Sequence, residues 1–181
     1  MKFFPTEIPD IILVEVPKFG DYRGFFMETY HAEKFADGGM AAKFIQDNHA
    51  LSQKNILRGL HYQLKFPQGK LVRCIQGEIL DIAVDIRRSS PTFGKWVGEV
   101  LSSENARQLY VPPGFAHGYV VRSQHAEVEY KCTELYHPED DYGILWNDPE
   151  IGIDWGIENP ILSEKDKQQP LLKNVKERLF K

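Results

Sequence analysis

The residues best suited to chemistry lie together in residues 58–63, which read Arg-Gly-Leu-His-Tyr-Gln. Histidine can accept and return a proton near neutral pH, arginine can hold an anionic group, and glycine lets a ligand or a neighbouring strand come close. Alternate side chains of a strand point to opposite faces, so His61 and Gln63 are expected on one face and Arg58 on the other. The segment therefore predicts a polar site. Arg58 and His61 can reach one ligand only if the chain has a bend or bulge at Gly59 or if Arg58 approaches from the strand's edge.

A second polar segment, residues 112–117, has the Pro-x-Gly-x-x-His spacing found in the second half of the metal-cupin pattern. The first half of that pattern is altered, because Gln63 replaces its second histidine and positions 67–68, where a glutamate ligand would follow, hold proline and glutamine. His61 and His117 alone make a poor metal site, since stable sites use three or more protein ligands. The pattern therefore resembles a cupin barrel that has lost its metal ligands, and it predicts a metal-free cupin.

Short runs of alternating residues, separated by glycine and proline, predict the strands that position these segments. In residues 79–86 the even-numbered side chains are apolar, while Asp81 and Asp85 lie on the other face. About ten such runs occur, which is typical of a sandwich or a barrel. The other strands are expected at residues 11–16, 24–30, 44–52, 56–63, 71–75, 96–101, 108–111, 118–122 and 127–135.

Helical patterns are confined to short segments near the two ends of the chain. One helix is predicted at residues 31–42, a second from Ser163, where Ser-Glu-Lys-Asp resembles a capping box, and a third at residues 171–181. The expected fold class is therefore all-β, a cupin-type jelly-roll barrel with short terminal helices. One domain spanning residues 1–181 is expected.

Composition and charge exclude several classes of function. The chain has 181 residues, is 42% hydrophobic and carries a net charge of −4, which argues against a nucleic-acid partner. It contains no apolar run long enough to span a membrane, and its first residues lack the apolar region of a signal peptide. Cys74 and Cys132 are far apart in sequence, so a reducing, cytoplasmic location is expected.

Several segments, in order along the chain, resemble the dTDP-4-dehydrorhamnose 3,5-epimerase family. The resemblance extends from near residue 5 to about residue 170, which is nearly the whole chain. It implies a cofactor-free, homodimeric jelly roll that inverts carbons 3 and 5 of dTDP-4-keto-6-deoxyglucose on the way to dTDP-rhamnose. The matching segments read RGLHYQ, QGKLVRC, GEILDIAVDIRRSSPTFGKW, RQLYVPPGFAHGY, WNDPEIGIDW and LSEKD.

The chemistry of this reaction suits the residue types at the matching positions. Both carbons neighbour the 4-keto group, so loss of a proton gives an enolate, and inversion needs a base on one face and an acid on the other. His61 is the expected base, and the resemblance implies that Asp166 orients it. By the same resemblance Tyr130 is the acid, and Lys70 carries the positive charge that suits the enolate oxygen.

The resemblance also implies a set of contacts to the nucleotide and the sugar. Arg23 and Arg58 match phosphate contacts, as arginine forks suit a diphosphate, and Lys165 is expected to join them. Tyr136 matches an aromatic side chain that stacks on thymine. Asp141 stands where the family commonly has glutamate, and its carboxylate, one methylene shorter, is implied as a further contact. The remaining nucleotide and sugar contacts implied are Glu28, Gln46, Asn48 and His117.

Three other functions stay open from the sequence. A related enzyme could invert a single carbon or isomerise the ketone with the same base. A metal-cupin oxygenase or isomerase would need bound iron, manganese or zinc, against which Gln63 argues. A non-catalytic sugar-nucleotide binding module would bind tightly without exchanging protons with solvent.

Overall fold

The computed structural model describes the backbone of residues 1–181 and every side chain except that of residue 176. Thirteen strands form two antiparallel sheets and one separate hairpin. The six-stranded sheet has the order β1-β2-β10-β7-β12-β5, and the five-stranded sheet has the order β13-β6-β11-β8-β9. The strands are β1 (Lys2–Pro5), β2 (Ile12–Glu15), β3 (Phe19–Asp21), β4 (Gly24–Phe26), β5 (Gln46–Gln53), β6 (Leu57–Gln63), β7 (Lys70–Gln76), β8 (Glu78–Asp85), β9 (Trp96–Ser102), β10 (Arg107–Val111), β11 (Phe115–Val121), β12 (His125–Cys132) and β13 (Asp141–Gly143).

The all-β jelly-roll prediction is confirmed, although the two sheets form a sandwich and do not close into one continuous barrel. The core between the sheets combines side chains of both, such as Val72 and Leu109 from one sheet with Ile79 and Val97 from the other. Burial of this inner face is the main stabilising contribution, because it removes most apolar side chains of the central strands from water.

Each outer face is covered by a different part of the chain. Residues from the C-terminal third, including Trp155 and Leu172, pack on the outer face of the five-stranded sheet. Phe35 of helix α1 (Ala32–Asp37) packs against the outer face of the six-stranded sheet. As a result, both faces of strand β8 are buried, and Asp81 and Asp85 have no exposed surface. The predicted alternation in β8 is correct, but its polar face points into the sandwich.

The helices are shorter than the sequence predicted. Helix α1 ends before Gly38 and Gly39, and the φ of +92° at Gly39 is left-handed backbone that favours glycine. Helix α2 (Glu164–Lys167) begins as predicted, with the Ser163 hydroxyl accepting a hydrogen bond from the backbone N–H of Asp166 at 3.1 Å.

The final helix predicted at residues 171–181 is wrong. Two separate 3₁₀ turns occupy this segment, Leu172–Asn174 and Lys176–Arg178. Val175, with φ −118° and ψ 16°, interrupts the helical backbone between them. The apolar spacing that suggested a helix instead places Leu172, Val175 and Leu179 against the five-stranded sheet.

Candidate active site

Two adjoining cavities of about 300 Å³ and about 440 Å³ open between the sheets. They share His61 from the five-stranded sheet with Lys70 and Tyr130 from the six-stranded sheet. The polar clusters that recur along the sequence therefore come from facing walls of one space. Of the predicted site residues, the cavities together are lined by Gln46, Asn48, Arg58, His61, Lys70, His117, Tyr130, Tyr136, Asp141, Lys165 and Asp166.

A register shift in strand β6 brings Arg58 and His61 to the same cavity. His61 lies opposite His117 of strand β11, but Arg58 lies opposite Tyr119, so the pairing slips by one residue between them. Gly59 has φ +119°, and a Cβ added there would lie 2.6 Å from the Cα of Gly118. The bend at Gly59, one of the two ways for Arg58 and His61 to reach one ligand, is therefore present, and only glycine fits it.

His61 forms a close pair with Asp166. The His61 Nε2 and Asp166 Oδ1 atoms are 2.6 Å apart, and the Asp166 side chain is only 5% exposed. Burial by itself raises the pKa of Asp166, but the hydrogen bond and charge of His61, with further hydrogen bonds from Ser163 and Gly59, outweigh it and hold this pKa below its usual value. The carboxylate stays ionised and fixes the orientation of the imidazole.

The lowered pKa of Asp166 predicts an acid-sensitive contribution to stability. A carboxyl group with a depressed folded-state pKa stabilises the protein above its unfolded pKa of about 4, and this stabilisation is lost as the pH falls through the folded-state pKa. We expect the thermal unfolding temperature to fall more steeply from about pH 6 to about pH 3 in the wild type than in Asp166→Asn. Equal losses in the two proteins would contradict this assignment.

A second histidine–carboxylate pair lies beside the first. His117 Nε2 and Asp81 Oδ1 are 2.8 Å apart, and both side chains are almost fully buried. Asp81 was not predicted as a site residue. The available signal was the alternation of Asp81 and Asp85 with Ile79 and Ala83 on one face of a predicted strand.

The Tyr130 phenol and the Lys70 ammonium stand on the wall opposite His61. Burial raises the pKa of Tyr130 to about 12, so the phenol keeps its proton at neutral pH and is available as a donor. Burial also lowers the pKa of Lys70, against the opposing effect of Cys132, Asp141 and Asp81 nearby. These two groups and His61 surround a space in which a proton can be exchanged on two sides of one molecule.

A chain of amide hydrogen bonds connects the wall of the smaller cavity to its rim. The backbone N–H of Tyr136 donates to Gln46 Oε1 at 2.8 Å, and the Gln46 amide donates to Asn48 Oδ1 at 3.2 Å. Asn48 in turn donates to the sulfur of Cys132 at 3.4 Å. The phenol of Tyr136 and the ammonium of Lys165 both donate to Asp141 Oδ2, at 2.8 Å and 2.5 Å.

Two predicted contact residues lie outside these cavities in the single chain. Arg23 lies in the turn of the β3–β4 hairpin, is 73% exposed and pairs with Asp21. Glu28 pairs with Lys34 at 2.7 Å on the surface. Arg58, by contrast, lines the larger cavity and donates to the Ser52 hydroxyl at 3.0 Å.

Gln63, which replaces a metal-ligand histidine of the cupin pattern, is fully engaged in structural hydrogen bonds. Its amide donates to the carbonyl groups of Phe66 and Leu135 and accepts from the backbone N–H of His137. The side chain therefore holds the loop after strand β6 and the loop after strand β12 together at the cavity mouth. The alternation in residues 58–63 correctly predicted Gln63 on the cavity face but gave no sign of these hydrogen bonds.

Among the side chains that the structure describes, no group of three or more His, Cys, Asp or Glu is arranged to hold a metal ion. No helix in the described part of the chain has the length and apolar character needed to cross a membrane.

The fold is a cupin-type jelly roll in which ionisable side chains of both sheets line two adjoining cavities. The family model described as dTDP-4-dehydrorhamnose 3,5-epimerase matches residues 5–174. The chain belongs to the dTDP-4-dehydrorhamnose 3,5-epimerase family.

Individual relatives agree with this assignment. A dTDP-4-dehydrorhamnose 3,5-epimerase from Shigella flexneri is 55% identical over 168 residues, covering 92% of this chain and 93% of the relative. A crystal structure of dTDP-6-deoxy-D-glucose-3,5-epimerase from Legionella pneumophila in complex with dTDP-4-keto-L-rhamnose is 46% identical, with a TM-score of 0.96 over 99% of this chain and 97% of that chain. A dTDP-4-dehydrorhamnose 3-epimerase from Streptomyces niveus is 32% identical over 179 residues, covering 98% and 86%.

Proposed function

We propose that this protein inverts carbons 3 and 5 of dTDP-4-keto-6-deoxyglucose, giving dTDP-4-keto-L-rhamnose, by proton transfer through an enolate. The observation that carries this proposal is the placement of His61 and Tyr130. They belong to different sheets and line the same two cavities, so a sugar ring between them has a base on one face and an acid on the other.

His61 removes the proton next to the ketone, and Asp166 stabilises the imidazolium that forms. The electron pair of the broken C–H bond moves into the enolate, whose oxygen is stabilised by the ammonium of Lys70. Tyr130 then donates its phenolic proton to the opposite face of the same carbon. Inversion at the second carbon repeats these steps after His61 has lost its proton and Tyr130 has regained one.

The nucleotide is bound by the groups around this centre. Arg58 provides a fixed guanidinium for the diphosphate, since its position is held by Ser52 and by the bend at Gly59. His117, held by Asp81, places its imidazole at the same cavity wall. Lys165 and the exposed ring of Tyr136 lie at the rim, where they suit the diphosphate and the thymine. Gln46 and Asn48 supply amide donors and acceptors.

A mechanism that needs no cofactor is supported by the residues themselves. Enolate formation requires a base, an acid and a positive charge, and His61, Tyr130 and Lys70 supply all three. Gln63 has its amide committed to three backbone groups and is not available as a ligand. Cys74 and Cys132 are buried free thiols, which suits a reducing cytoplasm.

The protein is proposed to act as a homodimer in which the β3–β4 hairpin reaches a second copy. The hairpin exposes an apolar surface, with Phe19 64%, Tyr22 97%, Phe25 60% and Phe26 71% exposed. Such a surface marks an interaction site. Arg23 at its tip and Glu28 just after it lie outside the cavities of their own chain, so they are available to the nucleotide bound by the partner.

The dimer predicts a measurable mass and a variant that disrupts it. Light scattering after size-exclusion chromatography should give twice the chain mass of 20.9 kDa. Phe26→Asp should shift the protein to the monomer, because a carboxylate in an apolar interface is left without a partner. A wild-type protein that remains monomeric at micromolar concentration would contradict the proposal.

A single-carbon epimerase is the second candidate, because one of the similar proteins is named a 3-epimerase. The greater identity to a 3,5-epimerase, 55% against 32%, favours inversion at both carbons. Proton NMR of the product formed from dTDP-4-keto-6-deoxyglucose tests this directly. Inversion at both positions is expected, and a product changed at one carbon would support the second candidate.

A further inference from the structure

Asp141 was expected to contact the nucleotide, but its surroundings suggest a different role. One of its carboxylate oxygens, Oδ2, accepts both the Tyr136 hydroxyl at 2.8 Å and the Lys165 ammonium at 2.5 Å. The Asp141 side chain is 14% exposed, whereas about half of Lys165 is exposed. The carboxylate therefore faces two protein donors, and these donors face the solvent side of the site.

The backbone of Asp141 is held by strand pairing and by the contacts of its neighbour Asp140. Asp141 lies in strand β13 and pairs with Gln63 of strand β6. The preceding residue, Asp140, is fully buried and accepts the backbone N–H groups of Lys65 and Phe66 at 2.8 Å and 2.9 Å. The start of this strand is thus fixed to the sheet from two sides.

The two groups bound by Asp141 belong to less regular parts of the chain. Tyr136 lies in the loop that follows strand β12, and its phenol is held at its outer end by Asp141 alone among the described hydrogen bonds. Lys165 lies in the four-residue helix α2, next to Asp166, the partner of His61. A single strand carboxylate therefore connects the rim loop to the helix that carries Asp166.

We propose that Asp141 is a positioning residue that orients Tyr136 and Lys165 for the nucleotide and makes no contribution of its own to nucleotide affinity. This inference rests on the proposed function, since the roles of both partners come from it. The loss of dTDP affinity caused by removing Asp141 should then depend on whether its two partners are present. Removal of a direct contact would instead lower the affinity equally in any background.

The test is a mutational cycle read by calorimetric titration with dTDP. Asp141→Ala should weaken dTDP binding about tenfold, because two hydrogen bonds that orient the ligand groups are lost. A matching rise in KM should accompany the weaker binding. In a Tyr136→Phe, Lys165→Met background, adding Asp141→Ala should change the affinity by less than about twofold. An additional tenfold loss in that background would overturn the proposal.

Two further variants at Asp141 and one matched control complete the test. Asp141→Asn preserves the size and the strand, so the cycle can be run with it if Asp141→Ala fails to fold. Asp141→Glu keeps the charge for Lys165 and should bind dTDP more tightly than Asp141→Asn, and the reverse order would overturn the proposal. Glu164→Gln is the matched control, since it removes the exposed ion pair between Glu164 and Lys167 on the same helix and should leave dTDP binding unchanged.

The proposed function and this inference can fail separately. If wild-type protein binds dTDP but does not convert dTDP-4-keto-6-deoxyglucose, the proposed reaction is wrong while the cycle still reports on Asp141. If the wild type turns over normally and Asp141→Ala lowers dTDP affinity equally in the wild type and in the Tyr136→Phe, Lys165→Met variant, the inference alone is wrong.

Discussion

His61→Ala is expected to lower kcat/KM on the order of 10³-fold, the contribution typical of a positioned general base. His61 lines both cavities and has a buried carboxylate partner, Asp166, at 2.6 Å, whereas His117 lines only the larger cavity. Alanine leaves the cavity open and the strand pairing of β6 unchanged. The variant should therefore bind dTDP normally while neither inverting the substrate nor exchanging its protons with solvent.

The chain offers a matched control for this variant. His49 also pairs with a carboxylate, Glu127, at 2.9 Å, but it lies on the exposed face of strand β5 and outside both cavities. His49→Ala should keep kcat/KM within about twofold. Substantial solvent exchange by His61→Ala would show that another group removes the proton.

Tyr130→Phe is expected to lower the rate of inversion on the order of 10²-fold while leaving proton abstraction largely intact. The phenol, with its pKa raised to about 12 by burial, is protonated and lies across the cavity from His61. Without it, the enolate can regain a proton only from the His61 side. In heavy water the recovered substrate should therefore carry deuterium without having changed its configuration.

The measurement is mass spectrometry and NMR of the recovered substrate alongside the product. Tyr110→Phe is the control, because it removes a phenol that is buried on the outer face of the six-stranded sheet, away from the cavities. It should leave the inversion rate unchanged. If Tyr130→Phe loses exchange and inversion equally, Tyr130 is not a specific acid for the opposite face.

Local sequence patterns predicted much of the fold. The alternation in residues 79–86 predicted strand β8 and the correct side of each of its residues, because a strand has a strict period of two. Ser163 predicted the start of helix α2, because capping depends on neighbouring residues. The helix expected at residues 171–181 failed because its apolar spacing is satisfied by packing of two 3₁₀ turns on the sheet.

The arrangement of the site depends on long-range contacts, which local sequence patterns cannot predict. The residues of the pair His61–Asp166 are 105 positions apart, and only the resemblance to a family suggested it. A bend near Gly59 was one of two ways for Arg58 and His61 to reach one ligand, but the place of the register shift, opposite Gly118, follows from the pairing of β6 with β11. The His117–Asp81 pair and the anchoring of Tyr136 by Asp141 also arise from sheet topology, which brings distant strands together.

The most direct test of the central claim is incubation of the wild-type protein with dTDP-4-keto-6-deoxyglucose in heavy water. A base and an acid on facing walls must exchange the protons of both carbons that neighbour the ketone. We expect a product with inverted configuration and one deuterium at each of carbons 3 and 5. A product labelled at one carbon would contradict the double inversion, and unlabelled sugar would contradict the acid–base mechanism itself.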